Sequence, residues 1–317
     1  MQAGILEPVP ALARHLFFNL KAGAAAGRIQ TALRALAAHA DGRCVVVGFG
    51  PPVLAALGKT IPGLRTAPAL RTAPRDAPDA AIDIPSTPAA LWCWVRGSMH
   101  VSMHDKGAAD SVPGDAGDLL HSGRHIGQLL APAFALDGAL DVFRHGSGRD
   151  LTGYEDGTEN PQNDAAAAAA ITQGLGAGLD GASFAAFQQW QHDFAAFDAM
   201  PSSAQDDAIG RRKSDNQELD GAPASAHVKR TAQESFMPEA FVLRRSMPWI
   251  EGRRAGLAFL AFGKTLDAFE AQLRRMAGLD DGIADALFGF SRPVSGAYFW
   301  CPPLRDGKLD LRRLGQD

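Results

Sequence analysis

Cys44-Val45-Val46-Val47-Gly48-Phe49 is the stretch from which the fold reads outward. Rich in valine, free of charge and closed by Gly50-Pro51-Pro52, it has the character of a well-buried strand. Upstream, residues 24–40 place Ile29, Leu33 and Leu36 on one helical face, and residues 15–20 read as a strand. Downstream, a short helical run ends near Lys59 and a proline-rich stretch spans 62–88. Leu91-Trp92-Cys93-Trp94-Val95-Arg96 then reads as a strand, residues 115–130 as a helix and residues 140–143 as a strand. The second half keeps this rhythm. Segments 183–192, 241–244, 257–262 and 296–300 are strand-like, and residues 266–276 form a helix with Leu266, Phe269 and Leu273 on one face. Between the halves, residues 163–181 pass from six alanines to Gly174, Gly176, Gly178 and Gly181, a loop or linker with some helical character. Comparable order in both halves suggests a duplicated α+β architecture, with units 1–150 and 151–317.

Composition narrows the function. The 317 residues are 46% hydrophobic and 21% charged, which places the chain among globular proteins and excludes wholesale disorder. Thirty-one basic against 35 acidic side chains give a net charge of −4, so attraction of the whole chain to nucleic acid or anionic membranes is not expected. Cys44, Cys93 and Cys301 form neither a disulfide framework nor a CxxC motif. With no leader or membrane span legible, a soluble cytoplasmic protein is expected.

Several motifs match by letter only. Gly176-Ala177-Gly178-Leu179-Asp180-Gly181 spells GxGxxG, but an alanine run precedes it and a strand-like segment follows, the wrong context for a dinucleotide loop. Gly58-Lys59-Thr60 and Gly263-Lys264-Thr265 lack the earlier glycine of a phosphate loop. The pairs His100/His104 and His121/His125 have i, i+4 spacing without further ligands, and solvated or capping histidines are the default.

Four segments carry more chemistry. Leu151-Thr152-Gly153-Tyr154-Glu155-Asp156-Gly157-Thr158-Glu159-Asn160-Pro161 is dense in turn formers and carboxylates, suited to a cleft between the halves. Gly210-Arg211-Arg212-Lys213-Ser214-Asp215 is a basic cluster able to hold carboxylates or phosphates. Then come Ala226-His227-Val228-Lys229-Arg230 and Leu243-Arg244-Arg245-Ser246-Met247-Pro248-Trp249. In this order and spacing they resemble the dye-decolourising peroxidases, a haem peroxidase family, and among them the compact bacterial B-type. Gly153-Tyr154-Glu155-Asp156-Gly157 is similar to the family's GxxDG signature. The resemblance runs from about residue 15 to 303, by pattern more than motif in the first half.

The resemblance implies duplicated ferredoxin-like domains with antiparallel sheets, of the dimeric α+β barrel kind, and non-covalent haem b held mainly by the C-terminal unit. It implies His227 as the axial iron ligand, with Asp285, in an expected helix over 283–288, as the carboxylate behind it and Asp280 and Asp281 as rivals. Asp156 is the implied acid–base group and Arg244 the charge stabiliser, their relative importance left open. Ser246 stands where many B-type relatives carry asparagine, and its hydroxyl still orients peroxide or water. Arg211 is implied to pair with a haem propionate, and Asn160 and Thr158 to contact the cofactor edge. The expected partners are hydrogen peroxide and small aromatic reductants, and the expected assembly is a homo-oligomer. Trp190, Trp249, Trp300, Tyr154 and Tyr298 are candidate electron relays, each weighed against an ordinary place in the core. A haem-handling or haem-sensing protein with weak peroxidase activity is the alternative, and chlorite-dismutase-like chemistry a third. Residues 309–314 read as a terminal helix on the domain rather than a docking tail.

Overall fold

The computed structural model describes residues 1–73, 81–97 and 114–316; the His100/His104 pair lies outside them. Eight strands carry the architecture: β1 (Leu12–Leu20), β2 (Val45–Phe49), β3 (Leu91–Arg96), β4 (Phe134–Phe143), β5 (Ser183–His192), β6 (Met247–Glu251), β7 (Arg254–Gly263) and β8 (Ala297–Cys301). They neighbour one another in the order β5-β8-β2-β3-β1-β4-β6-β7, and β7 pairs back onto β5 to close an antiparallel barrel. The first four strands run β2-β3-β1-β4 and the last four β6-β7-β5-β8, the same order repeated. The halves meet at two narrow seams, each with one registered pair: Val142 opposite Trp249, and Trp300 opposite Phe49.

Strand alternation sorts the side chains into two layers. Trp92, Trp94, Phe187, Trp249, Leu260, Phe262 and Phe299 form one buried cluster inside the barrel. Leu16, Val47, Leu91 and Cys93 face the other way, beneath the helices of the first half. These are α1 (Ala26–His39), which buries Ile29, Leu33 and Leu36, and α2 (Ala116–Leu130), which buries Leu119, Ile126 and Leu130. Asp115 caps α2 in a reciprocal box with Asp118. Helix α3 (Asn163–Ala170) follows β4, and the second half adds α4 (Ser202–Ile209), the single turn α5 (His227–Arg230) and α6 (Asp267–Met276).

Most strands stand where the pattern puts them, and the exceptions have local causes. β4 begins at Phe134 rather than 140, because its first turns are largely exposed and lack an apolar stripe. Segment 241–244 is a strand only at Leu243–Arg244, and β6 contains Pro248, which masks it as a strand. The helix expected over 283–288 is a 3-10 turn, Ala286–Gly289, with Asp285 as its cap. The terminal helix expected over 309–314 is instead a small hairpin, Leu304–Arg305 with Lys308–Leu309, followed by the 3-10 turn Arg312–Leu314. Gly174, Gly176, Gly178 and Gly181 all have positive φ and turn the chain into β5, so no helix receives the GxGxxG letters. Among the described residues, no helix is long and apolar enough to cross a membrane.

Trp249 sits at one seam, fully buried, and its indole N–H donates to the Trp190 carbonyl at 3.0 Å. Trp249→Ala is expected to cost about 3–5 kcal/mol of unfolding free energy. Urea unfolding followed by circular dichroism measures this, and an unchanged midpoint would mean the barrel closes without that seam.

Candidate functional site

One face of the β5–β7 pair is hollowed. Gln188, Trp190 and His192 alternate along β5, Leu257 and Phe259 along β7, and the register sets Leu257 opposite Trp190 and Phe259 opposite Gln188. Together with Phe269, Gln272, Leu273 and Met276 of α6, they line a cavity that opens to solvent. Loop residues Asp150, Thr152, Tyr154, Glu155 and Asp156 complete the wall with Ile209, His227, Thr231, Arg244, Leu287 and Ser291. A second, more polar cavity shares Asp156, Arg244 and Leu257 with the first and adds Arg144, His145, Arg149, Asn160, Arg245 and Ser246. Asp156 and Arg244 therefore stand between two spaces, whereas His227 lines only the first.

His227 opens α5, and its Nδ1 lies 2.8 Å from Asp285 Oδ2. Asp285 is fully buried at its side chain, and its Oδ1 accepts the Leu287 N–H at 2.9 Å. A carboxylate so placed accepts the Nδ1 proton and leaves a lone pair on Nε2, which has no hydrogen-bond partner among the described residues. The rival carboxylates are engaged elsewhere: Asp281 takes both Nη atoms of buried Arg230 at 2.8 Å, and Asp280 pairs with Arg274. The Arg230–Asp281 bridge and the bond from Ala286 N–H to the Ser225 carbonyl tie the His227 segment to the Asp285 segment.

On the other wall, Arg244 Nη1 stands 4.0 Å from Asp156 Oδ1. The Arg244 backbone lies between β7 and Asn160, whose side-chain oxygen accepts the Arg244 N–H at 2.8 Å while its amide donates to the Arg244 carbonyl at 3.0 Å. Asn160 thus substitutes for a neighbouring strand. Gly157 permits this: its φ is +78°, and a Cβ there would come within 2.7 Å of the Asn160 amide nitrogen. Ser246 lines the second cavity, its Oγ accepting the Leu260 N–H at 3.4 Å.

Three expected site residues are on neither cavity wall, Asp285 because it lies behind His227. Arg211 is buried but bridges Glu159, Glu218 and the Asn216 carbonyl, and exposed Thr158 accepts from the Asn216 amide at 3.0 Å. Among the candidate relays, Trp249, Trp300 and Tyr298 are core residues, while Trp190 and Tyr154 reach the cavity.

The comparisons with known proteins follow this geometry. A model for the C-terminal part of Dyp-type peroxidases matches residues 147–306, half of the chain, and includes every residue just described on the cavity walls except Arg144 and His145 of the second. The chain belongs to the Dyp-type peroxidase family. A dye-decolorizing peroxidase of Mycolicibacterium paratuberculosis is 30% identical over 220 residues, covering 64% of this chain and 62% of that protein, less than two thirds of its length. Among solved structures, a dye-decolorizing protein from V. cholerae aligns with a TM-score of 0.76 and 27% identity over 94% of this chain and 96% of that one. A DypB variant from Rhodococcus jostii RHA1, solved in complex with haem, aligns with a TM-score of 0.72 and 25% identity over 94% and 95%. The family model starts at residue 147 and so takes in the residues that sequence reasoning missed, Asp150, His192 and Ser291.

These three form a network in the cavity wall. His192 Nε2 lies 2.9 Å from Asp150 Oδ2 and its Nδ1 2.7 Å from Ser291 Oγ, while Asp150 Oδ1 accepts the Thr152 N–H at 2.8 Å and hydroxyl at 2.6 Å. No motif marks them, and their only sequence signal is a histidine on the helix-facing side of an aromatic strand. Burial by itself raises the Asp150 carboxyl's pKa, but the bonds and charge from His192 and the bonds from Thr152 outweigh it and hold it below the usual value. A depressed native pKa stabilises the fold above the unfolded value of about 4, and the contribution is lost as pH falls through the native one. The stability gap between the protein and Asp150→Asn is therefore expected to stay level from pH 7 to about 5 and to shrink below about 4. Urea midpoints of both across that range test it; a gap that widens on acidification would contradict the assignment.

Proposed function

We propose that the protein is a haem b peroxidase of the B-type branch, reducing hydrogen peroxide and oxidising dyes, phenols or similar one-electron donors. The observation that carries this reading is the His227–Asp285 pair on a largely apolar cavity whose wall also holds Asp156 and Arg244. Haem suits these residues: Leu257, Phe259, Leu273, Met276 and Leu287 match an apolar macrocycle, and His227 presents a free Nε2. Arg244 Nε is buried with no hydrogen-bond partner among the described residues, a donor awaiting an oxygen. The haem bound by the Rhodococcus protein supports the same cofactor here, and the absence of CxxCH supports non-covalent binding.

Haem, if bound, would be held by His227 and would supply iron that reacts with peroxide and a store for oxidising equivalents. Asp285 fixes the His227 tautomer and raises the basicity of Nε2. Asp156 accepts a proton from one oxygen of hydrogen peroxide and delivers it to the departing oxygen. Arg244 offsets the negative charge gathering on that oxygen. Ser246 orients peroxide or water arriving through the polar second cavity, which opens on the Asp156–Arg244 side and not on His227. Asn160 holds the Arg244 backbone, and Arg211 exchanges Glu159 or Glu218 for a propionate, with Thr158 beside it at the cofactor edge.

The repeated strand order supports two ferredoxin-like units, 1–150 and 151–317. Three free cysteines, two of them buried, favour a reducing cytoplasm, and the assignment as a homo-oligomer rests on family likeness.

Protein purified with haem should show a Soret band that shifts within milliseconds of stoichiometric peroxide; slow or absent change would favour haem handling instead. His227→Ala is expected to alter that band and abolish turnover, and an unaltered spectrum refutes the ligand. Asp156→Asn and Arg244→Leu are each expected to slow the peroxide reaction by about 10²–10⁴-fold in stopped-flow.

A further inference from the structure

Tyr154 has a feature that peroxide cleavage does not use. Tyr154 lines the first cavity and is 4% exposed, and its hydroxyl donates at 2.5 Å to Oδ1 of Asp206 on α4, a residue outside that cavity's wall. The same carboxylate oxygen accepts the Lys213 backbone N–H at 3.0 Å. The Lys213 ammonium lies 4.9 Å over the Tyr154 ring and the same distance over Phe197, and it donates to Gln205 Oε1 at 2.9 Å. Gln205, Asp206 and Lys213 are all partly exposed, so the arrangement runs from the cavity wall to the surface.

We propose that Tyr154 is a redox relay that carries electrons from phenol-type donors at the Gln205–Asp206–Lys213 surface to the cavity, with Asp206 as its proton acceptor. The proposal rests on the peroxidase reading, because its oxidant is the peroxide-oxidised haem of that reading. Tyr154 gives up one electron to that oxidant, and its phenolic proton crosses the existing hydrogen bond to Asp206. The products are a neutral phenoxyl radical, a protonated carboxyl and a cofactor reduced by one electron. A phenol at the surface then gives one electron to the tyrosyl oxygen, Asp206 returns its proton, and the oxidised donor leaves as a phenoxyl radical after losing its own proton to water.

The charges favour this route over loss of an electron alone. A cation over the ring raises the energy of a tyrosyl radical cation, so electron loss is coupled to proton loss, for which Asp206 is already in place. Burial, together with the Asp206 bond and charge, pushes the Tyr154 phenol well above its ordinary pKa, so the resting group keeps its proton. The chain's other tyrosine, Tyr298, is buried on β8 against Phe269 and does not line the cavity.

With only two tyrosines, the radical can be assigned. Haem-loaded protein is mixed with stoichiometric peroxide and freeze-quenched, and electron paramagnetic resonance is recorded beside the Soret spectrum. A tyrosyl signal that narrows with ring-deuterated tyrosine is expected, abolished by Tyr154→Phe and retained in Tyr298→Phe. Asp206→Asn, which removes the charged acceptor, is expected to lower its yield about tenfold or more. A signal that survives Tyr154→Phe, or is indifferent to Asp206→Asn, overturns the relay. So does a wild-type haem that reacts with peroxide without any tyrosine signal, which leaves the peroxidase reading standing; a haem inert to peroxide overturns both.

Discussion

A carboxylate with no solvent must have its oxygens satisfied by the protein, and Asp285 is in that position. Its two partners are the His227 ring and the Leu287 N–H, so the buried charge is stable only while the imidazole faces it and the following turn stays closed. The orientation of His227 is therefore a consequence of burying Asp285, more than of anything on α5 itself, which is a single turn without a side-chain cap. Arg230, three residues on, adds a second buried charge whose bidentate partner Asp281 lies just before Asp285. A hydrogen-bonded carboxylate and an ion pair across the same two segments fix their spacing, and either contact broken alone would leave an uncompensated buried ion.

The loop opposite follows the same logic with different groups. Asp150 is drawn to His192 on β5, Arg149 to Glu155, and the Asp156 N–H to the Gly148 carbonyl, so the loop is laced to the strand and to itself before Asp156 reaches the cavity. Asn160 then binds the loop's far end to the Arg244 backbone. Asp156 and Arg244 come from segments some ninety residues apart, yet each is held by main-chain bonds. What remains free are the two side chains themselves, 4.0 Å apart and only loosely paired.

How much of this was legible depends on whether a residue's neighbours are local. β2, β3, β5 and β7 read directly from apolar runs, whereas His227, Asp156 and Arg244 stood out only through likeness to a family, their segments being ordinary singly; the structure brings all three to one cavity wall. Asp285 was singled out from Asp280 and Asp281 only by likeness, since all three are acidic and close; the structure separates them through Arg230 and Arg274, partners no local pattern reveals. Asn160 was singled out by likeness alone, and its hold on the Arg244 backbone was not foreseen, because asparagine in a turn has no signature for clamping a strand across eighty-four residues. β6 escaped notice because Pro248 argues against a strand, although it stands opposite Leu257, where β6 and β7 form a short hairpin.

The two halves repeat a strand order, yet the cavity that His227 lines belongs to the second, and the chain between their first and second strands explains why. In the first half, α1 lies across the sheet with Ile29, Leu33 and Leu36 filling the space beneath it. In the second, residues 193–246 replace that single helix with short turns, α4 and α5, none long enough to cover β5 and β7. The uncovered face becomes the cavity floor, and the turns supply its wall in Ile209, His227 and Thr231. The first half still contributes, because Leu6, Pro8, Val9, Arg144 and His145 shape the second cavity beyond Asp156 and Arg244. A repeated frame thus yields one unit with an open cavity on its sheet and one whose sheet face is covered, and the asymmetry follows from replacing a single helix.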